Sequence, residues 1–282
     1  MVDTRQLGTH DVRVSVIGMG GIVAAHRPQE DVARHVAAAI DAGVTYFDTA
    51  PSYGNCQELL GPAIEPFRDA ITLACKTQKH TAEEARLELE ESLRLLRTDH
   101  VDIYQCHAIP SLDALDRILG PGGALETFRK ARDEGKARLL GFTTHSDDVA
   151  VRAIDSGCFD TVLFPLNYRA YTTNGLGKAT LDAARGRGMG ILAIKSMART
   201  PAPEGEEKPY AKCWYMPEDR PAVAWLQVRF TLGLPGVCAI VPPGDPGLFD
   251  IALATPNPTT PLSPAEAQDL QDATCHYDPI FG

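Results

Sequence analysis

Short apolar, β-branched segments alternate with segments of helical periodicity along almost the whole chain. Parallel strands need long crossover connections, which are usually helices, so this alternation is typical of βαβ units around a parallel sheet. At 282 residues the chain is long enough for one (β/α)8 barrel or for two ordinary domains. The segments predicted as strands are Val14–Gly18, Thr45–Asp48, Ile71–Lys76, Val101–His107, Arg138–Thr143, Thr161–Pro165, Gly190–Lys195 and Val237–Val241.

The segments between these strands carry helix signals of their own. Thr81 and Glu84 form a capping-box pattern ahead of apolar residues that share one helical face. Val32 and Val36 begin a similar stripe, which ends at Gly43. Further helices are predicted over Leu125–Glu134, Asp148–Ser156, Leu176–Arg187 and Pro221–Leu232 and, on the weakest pattern, after Gly244.

The two ends of the chain carry features outside this alternation. Thr4–Leu7 and Val12–Val14 flank the turn-forming segment Gly8–Asp11, which predicts an N-terminal β-hairpin able to cap the bottom of a barrel. Near the other end, Ser263-Pro-Ala-Glu266 combines a cap residue, a proline at the first helical position and a capping-box glutamate. We therefore expect one extra helix at the C-terminus.

No linker divides the pattern into halves. The only long stretch without periodicity, Ser196–Glu218, follows the seventh strand, where a barrel has a loop on its catalytic face. We predict an α/β fold, a (β/α)8 TIM barrel with an N-terminal β-hairpin and a C-terminal extra helix, in which residues 1–282 form a single domain. A doubly wound open sheet is the structural alternative, but Met19-Gly20-Gly21 stands where a G-x-G-x-x-G loop would open a helix.

The composition disfavours several classes of partner. The 37 acidic and 27 basic residues give a formal net charge of −10, so no broad basic surface is available for nucleic acid or an anionic membrane. No stretch approaches about 18 consecutive apolar residues, and the N-terminus lacks a signal-peptide pattern. The 7 cysteines are scattered without C-x-x-C spacing, which indicates free thiols in a reducing compartment. We expect a cytoplasmic protein, and the sequence indicates no oligomeric state.

Residues capable of chemistry occur at the ends of three consecutive predicted strands. Asp48, Lys76 and His107 end the second, third and fourth strands, and Tyr53 lies in the loop just beyond Asp48. Neighbouring strands lie roughly 4.8 Å apart, so these side chains are expected side by side at one rim of the barrel. Each alone has a structural explanation, such as a loop cap, a packed aromatic or a core histidine. Their joint placement favours a catalytic group.

This set of residues suits the reduction of a carbonyl. The carbonyl oxygen needs a proton as hydride arrives, and a phenol with a pKa of about 10 donates one only with help. A nearby ammonium lowers that pKa by stabilising the phenolate, and a carboxylate keeps the ammonium charged. A histidine can hydrogen-bond the carbonyl oxygen and fix its direction. Tyr53, Lys76, Asp48 and His107 can fill these four roles.

Through these residues the chain resembles the aldo-keto reductase superfamily. The resemblance implies a barrel, hydride transfer from NADPH or NADH to a small-molecule carbonyl substrate, and Tyr53 as proton donor beside Asp48, Lys76 and His107. The segments that carry it are Asp48-Thr-Ala-Pro-Ser-Tyr53-Gly54, Leu73-Ala-Cys-Lys76-Thr77, Val101-Asp-Ile-Tyr-Gln-Cys-His107 and Gly135-Lys-Ala-Arg-Leu-Leu-Gly141.

The contacts that the resemblance implies for the nicotinamide carboxamide depart from the family pattern. Where the family has serine and asparagine after strand five, the chain has Thr143 and Thr144. Thr143 can supply a similar hydroxyl, whereas Thr144 lacks the amide. Where the family has a glutamine on strand six, the chain has Pro165, with Asn167 near enough to compensate. Thr143, Thr144 and Asn167 are therefore the predicted contacts.

The last two strands also differ from the family pattern. The strand-seven position where many members stack a tyrosine on the nicotinamide falls near Ile194 and Lys195, and we expect Lys195 to contact a cofactor or substrate oxygen. After strand eight, Pro242–Phe249 offers no cation for the 2′-phosphate of NADPH, which slightly favours NADH. Gly244 and Gly20 are predicted cofactor contacts, since glycine lets a backbone approach a ligand closely.

The long loop after the seventh strand contains two neighbouring aromatic residues. Trp214 and Tyr215 would cross the substrate pocket as a lid, or would anchor the loop to the barrel. With Tyr53 and His107 they make up the predicted substrate contacts.

Two other functions stay open at this point. A Schiff-base aldolase also uses a barrel and a strand-end lysine, for which Lys76 or Lys195 could serve. A barrel that binds a nucleotide without turnover could act as a redox-sensing or regulatory subunit. No metal site is predicted.

Overall fold

The structure, a computed structural model, describes residues 1–203, 205 and 208–281. Its strands are β1 (Thr4–Gln6), β2 (Arg13–Ser15), β3 (Met19–Gly20), β4 (Tyr46–Asp48), β5 (Thr72–Thr77), β6 (Val101–Cys106), β7 (Ala137–Thr143), β8 (Thr161–Pro165), β9 (Gly190–Ile194), β10 (Ala198–Pro201), β11 (Tyr215–Pro217) and β12 (Val237–Val241). Its α-helices are α1 (Gln29–Asp41), α2 (Cys56–Ile64), α3 (Ala82–Leu96), α4 (Leu112–Leu119), α5 (Ala124–Asp133), α6 (Asp147–Asp155), α7 (Lys178–Gly186), α8 (Pro221–Gly233), α9 (Pro246–Leu253) and α10 (Pro264–Thr274).

Eight parallel strands form the barrel, in the order β12-β9-β8-β7-β6-β5-β4-β3. A parallel bridge between Ile17 and Ile240 joins the two ends of this sheet. The predicted (β/α)8 fold is confirmed. Because all eight strands run in the same direction, their carboxyl ends meet at one rim, and the loops that follow them surround the same space.

The first barrel strand differs from its prediction over Val14–Gly18. Residues 13–15 belong instead to β2, and the barrel strand β3 starts only at Met19. The hydroxyl of Ser15 explains the break, since it donates to the Ile17 carbonyl at 2.8 Å and accepts from the backbone N–H of Thr45 at 3.0 Å. Hydrogen bonds of a side chain thereby replace strand pairing at this point. A run of apolar residues in the sequence does not indicate such hydrogen bonds.

The predicted N-terminal hairpin is confirmed as the antiparallel pair β1 and β2. Leu7, Val12 and Val14 are buried in one cluster with residues from inside the barrel, so the hairpin closes the barrel's amino end. Gly190 leaves the room for this contact, because a Cβ atom there would lie only 2.5 Å from Cγ of Leu7. The rim at the carboxyl ends of the strands stays open, so a functional site can form there.

Strand alternation decides which side chains face that rim. Ala74 and Ile103 belong to the inner cluster, whereas Cys75 and Tyr104 pack outward among the helices. Cys106 lies in the outer layer too, so its side chain points away from the inside of the barrel. By the same period of two, the last inward positions of β4 and β5 carry Asp48 and Lys76.

The C-terminal helix is confirmed as α10. Its capping box is complete, with Ser263 Oγ accepting from the Glu266 backbone and the Glu266 carboxylate accepting from the Ser263 backbone. Helices α2 and α4 were not predicted, nor was the antiparallel pair of β10 and β11 inside the long loop. The two helices are 9 and 8 residues long, too short for a distinctive apolar period. Across the described part of the chain, no helix combines the length and hydrophobicity that a membrane crossing requires.

Candidate active site

Asp48 and Lys76 form a buried ion pair at the ends of β4 and β5. The Lys76 ammonium donates to Asp48 Oδ1 and, at 3.1 Å, to the Thr49 carbonyl oxygen. The Tyr46 hydroxyl donates to the other carboxylate oxygen, Asp48 Oδ2, at 3.1 Å. Burial alone would lower the pKa of Lys76, but the Asp48 carboxylate raises it to about 12. The lysine is therefore held in place as a cation.

Tyr53 lies beside this pair, in the loop between β4 and α2. The centroid of its ring is 5.1 Å from the Lys76 Nζ atom and 5.6 Å from the ring of His107, which it meets edge-on. Burial raises the pKa of the Tyr53 phenol above its ordinary value, the Lys76 cation opposes that rise, and the Asp48 carboxylate adds to it. The phenol is therefore protonated at neutral pH, as a proton donor must be.

The two histidines that follow β6 and β7 are electrically neutral. Burial, together with the Lys76 cation, lowers the pKa of His107 to about 3. Burial and the Lys195 cation lower the pKa of His145 to about 4. His107 is oriented by Ser52, whose Oγ atom lies 3.3 Å from Nδ1. A neutral imidazole carries one N–H donor, so His107 can hydrogen-bond a carbonyl oxygen without adding charge to the pocket.

A cavity of about 240 Å³ opens at this rim of the barrel. It brings together residues that are up to 224 positions apart in the sequence, because seven of the barrel strands contribute residues to its wall. All the predicted site residues except Thr144 and Asn167 line it: Gly20, Asp48, Tyr53, Lys76, His107, Thr143, Lys195, Trp214, Tyr215 and Gly244.

Thr144 and Asn167 are buried beside the cavity and use their polar atoms within the protein. The Thr144 hydroxyl donates to the Ile109 carbonyl at 2.8 Å. The Asn167 amide donates to the carbonyl oxygens of Ala198 at 2.7 Å and Lys195 at 3.3 Å. The structure thus does not bring these two side chains to the cavity wall. Asn167 instead ties down the turn that follows β9.

Lys195 occupies the end of β9 on the far side of the barrel mouth from Lys76. Its Nζ atom lies 5.4 Å from the ring centroid of Trp214 and 5.2 Å from that of Tyr215. Its backbone φ is +66°, a conformation that residues other than glycine rarely adopt. Burial lowers the pKa of Lys195 to about 8, with Cys213 opposing the shift and Lys76 adding to it.

The other end of the cavity lies between the strands that close the barrel. Gly20 ends β3, and Gly244 follows β12 against Ile22, so close that a Cβ atom at Gly244 would lie 2.3 Å from Ile22 Cγ2. Lys212 reaches across from the long loop, and its ammonium donates to the Val23 carbonyl at 3.1 Å. This part of the cavity therefore brings two glycines and one cation together, and the cation suits phosphate groups.

Several residues of the cavity wall were missed by the sequence reasoning. The residues that line the cavity without having been predicted include Ile22, Ala108, His145, Lys212 and Cys213. His145 carried a usable signal, because it stands two residues past the end of β7 as His107 stands just past β6. The others are placed by loops whose course the pattern does not predict.

Comparisons with known proteins agree with this arrangement. The sequence profile of the Aldo/keto reductase family matches residues 16–222. L-galactose dehydrogenase of Arabidopsis thaliana is 28% identical over 215 residues, which are 70% of this chain and 66% of that protein. 6-dehydroglucose reductase of Novosphingobium aromaticivorans is 31% identical over 164 residues, which are 51% of this chain and 52% of that protein.

A solved structure supports the fold independently. An aldo-keto reductase from Bacillus halodurans, in its holo form, superposes with a TM-score of 0.75 at 21% identity, covering 97% of each chain. At that identity the likeness shows the fold alone. The chain spans between 36% and 66% of the length of the curated relatives it matches.

Proposed function

The chain belongs to the aldo/keto reductase family of oxidoreductases, and from that premise we propose that it reduces an aldehyde or ketone to an alcohol with NADPH or NADH. The observation that carries the proposal is the grouping of Asp48, Tyr53, Lys76 and His107 at one cavity. When bound, the nicotinamide cofactor supplies the hydride. We further propose that residues 1–282 act as one domain.

The four side chains divide the work of moving the proton. Tyr53 gives its phenolic proton to the oxygen that becomes an alcohol. The Lys76 cation stabilises the phenolate that is left, and Asp48 keeps Lys76 charged and aimed through their buried ion pair. His107 donates a hydrogen bond to the carbonyl oxygen, which fixes its direction. The neutral state of His107 suits this role, because a second cation would compete with Lys76 for the phenolate.

The residues around the cavity fit a nicotinamide dinucleotide. The hydroxyl of Thr143 accepts from the Ala108 backbone at 2.6 Å and keeps its own proton to donate, so it can hold a carboxamide oxygen. Gly20 and Gly244 line the same part of the cavity as Lys212, whose ammonium can balance the charge of the phosphates. These residues replace Thr144 and Asn167 in our assignment of the cofactor site.

We propose Tyr53→Phe as the direct test of this function. Turnover of carbonyl substrates should fall by about 10²–10⁴, the usual contribution of a positioned acid, while the dissociation constant for the nucleotide stays the same. Fluorescence titration measures the binding, and NAD(P)H absorbance measures the turnover. Tyr168→Phe is the matched control, since Tyr168 packs edge-on against Phe230 away from the cavity. Near-normal turnover in Tyr53→Phe would remove Tyr53 as the proton donor.

One observation favours a second candidate, the Schiff-base aldolase. The lowered pKa of Lys195 leaves a fraction of its amine neutral and nucleophilic near neutral pH, whereas the raised pKa of Lys76 excludes Lys76 from that role. Borohydride added with a carbonyl substrate would trap a covalent adduct on Lys195, detectable by mass spectrometry. Nucleotide-dependent turnover without an adduct would leave the reductase as the function.

A further inference from the structure

The cavity contains more positive than negative charge. Among the described residues, its lining includes Lys76, Lys195 and Lys212 and a single carboxylate, Asp48, which is already paired with Lys76. Within residues 1–203, 205 and 208–281, no carboxylate forms an ion pair with Lys195. Burying an uncompensated ammonium is costly, so its retention at a strand end indicates a ligand of opposite charge.

Lys195 is held rigidly enough to serve as a binding group. The faces of Trp214 and Tyr215 partly compensate its charge by cation–π contact. Its left-handed backbone conformation is secured by Asn167, whose amide donates to the Lys195 carbonyl, and by the Ala198 N–H, which donates to the same oxygen at 2.9 Å. Backbone strain that surroundings maintain in this way is typical of functional sites.

The aromatic contacts of Lys195 connect it to the part of the cavity next to His107. Trp214 packs against Phe281 with a centroid separation of 5.5 Å, and Phe281 packs against His145 at 4.9 Å. These three rings form a wall on the side of the mouth next to His107. The glycines and Lys212 that suit a dinucleotide's phosphates lie where β3 and β12 meet. Strand β12 is the neighbour of β9 on the side away from β8 and β7, so Lys195 stands between these groups and the three rings.

We propose that Lys195 binds an anionic group of the substrate, so that the preferred substrates are carbonyl compounds that also carry a carboxylate. The carbonyl lies at Tyr53 and His107, and the carboxylate lies at Lys195 between Trp214 and His145. This inference rests on the proposed reduction of a carbonyl and specifies its substrate class.

The neighbours of Lys195 favour an anion over a neutral polar group. The titratable groups that face it are Lys76 from β5, His107 after β6, His145 after β7, and Cys213 and Tyr215 from the long loop. The two histidines are neutral, and the raised pKa values of Cys213 and Tyr215 keep both protonated, so none of these four groups carries a negative charge. A charge-assisted contact of this kind is worth roughly tenfold to a hundredfold in affinity.

Matched pairs of substrates test the proposal. 3- and 4-carboxybenzaldehyde are compared with the corresponding carboxamides, which have nearly the same shape without the charge, and 4-oxobutanoate is compared with its amide. The protein should prefer the carboxylate by about tenfold or more in kcat/KM, mainly through KM. In Lys195→Met the ratio should fall to near one, and Lys195→Arg should restore most of it. Lys208→Met, on the exposed part of the same loop, should leave the ratio unchanged.

The pH dependence of the carboxylate preference gives a second test. It should change with the protonation of Lys195, which a purely structural role of this residue would not cause. The carboxylate preference should decline as the pH rises through about 8, because Lys195 loses its proton there. Carboxamide substrates should not show this decline. A preference that persists unchanged to pH 10 would contradict the assignment to Lys195.

Two results would overturn the proposal while leaving the reductase function intact: equal turnover of carboxylates and carboxamides, or a preference that survives in Lys195→Met. A third is weaker binding of NADH and NADPH in Lys195→Met with an unchanged KM for carboxylates, since Lys195 would then serve the cofactor's phosphates.

Absence of turnover with every carbonyl would count against the proposed function alone, because binding tests the inference separately. Trp214 lies close enough to Lys195 for its fluorescence to report an occupied site. 4-Carboxybenzyl alcohol, titrated in the presence of nucleotide, should change this signal, and 4-carbamoylbenzyl alcohol should bind at least tenfold more weakly. Equal binding of the two alcohols would overturn the inference.

Discussion

Lys76 and Lys195 lie at the same cavity but have very different pKa values. Both ammonium groups lose most of their water at the same cavity, and both would deprotonate more easily for that reason alone. Asp48 reverses the effect for Lys76, whose pKa rises to about 12, whereas Lys195 has only aromatic faces and keeps a pKa of about 8. A single carboxylate therefore decides which lysine is permanently charged.

The role of Lys76 predicts a shifted pH profile in Lys76→Met. Losing the cation raises the pKa of the Tyr53 phenol further, so the loss of activity at high pH should move to higher pH. Turnover should also fall by roughly 10²–10³. Because the single substitution leaves the Asp48 carboxylate buried without a partner, the double variant Lys76→Met/Asp48→Asn provides the stable control. An unmoved pH profile with substantial activity would contradict the pairing.

Among the elements, α2 is positioned by an unusually close approach to α3. Gly61 of α2 faces the last turn of α3, where a Cβ atom would lie 2.1 Å from the Leu95 carbonyl oxygen and 3.0 Å from Leu96 backbone atoms. Helix α2 follows directly on the Tyr53 loop, and the Cys56 N–H at its start donates to the Tyr53 carbonyl at 3.3 Å. Packing of α2 on α3 therefore helps to hold the proposed proton donor over Lys76.

We predict that Gly61→Ala destabilises the protein by roughly 1–3 kcal/mol, because the backbone of α3 has to move. Gly186→Ala is the matched control: Gly186 also lies in a helix, α7, but its Cβ atom would meet nothing within 4 Å. That substitution should stabilise by about 0.4–1 kcal/mol, since alanine restricts the unfolded chain. Denaturant unfolding measures both. Equal effects of the two changes would show that α2 and α3 are not in tight contact.

At the scale of the whole molecule, a net charge of −10 surrounds a locally cationic cavity. The cations that line the cavity come from β5, β9 and the long loop, so their concentration there is a product of the fold. The segment after β12, in contrast, is acidic. Its Asp245 carboxylate accepts from the backbone N–H groups of Gly247 at 2.9 Å and Leu248 at 3.2 Å. These two N–H donors at the N-terminus of α9 are therefore already used.

This arrangement predicts that NADH binds at least as tightly as NADPH. A 2′-phosphate near α9 would meet Asp245 in place of free N–H donors, and residues 242–249 contain no cation. Dissociation constants for both nucleotides at low and moderate salt test the expectation. A large NADPH advantage that salt weakens would contradict it, and loss of that advantage in Lys212→Met would identify Lys212 as the phosphate ligand.

The barrel and the residues of the proposed proton-transfer group could be predicted from local patterns in the sequence. The periods of strands and helices are local properties of the sequence, so eight alternating strand and helix units could be predicted directly. Asp48, Lys76 and His107 stand at or next to the ends of strands predicted in this way. Lys76 and Asp48 approach one another because adjacent parallel strands end at one rim, which topology alone requires.

The first barrel strand, the orientation of Asn167 and the partners of Lys195 depend instead on contacts between distant parts of the chain. Ser15 breaks the first predicted strand through hydrogen bonds to Ile17 and Thr45, and Asn167 turns away from the cavity to hold the β9 turn. The partners of Lys195 come from the long loop, and Phe281 adds to their wall from the C-terminus, 86 positions from Lys195. Such contacts depend on how loops cross the barrel mouth. No local periodicity encodes that path, because loop conformation follows from packing between parts of the chain that are distant in sequence.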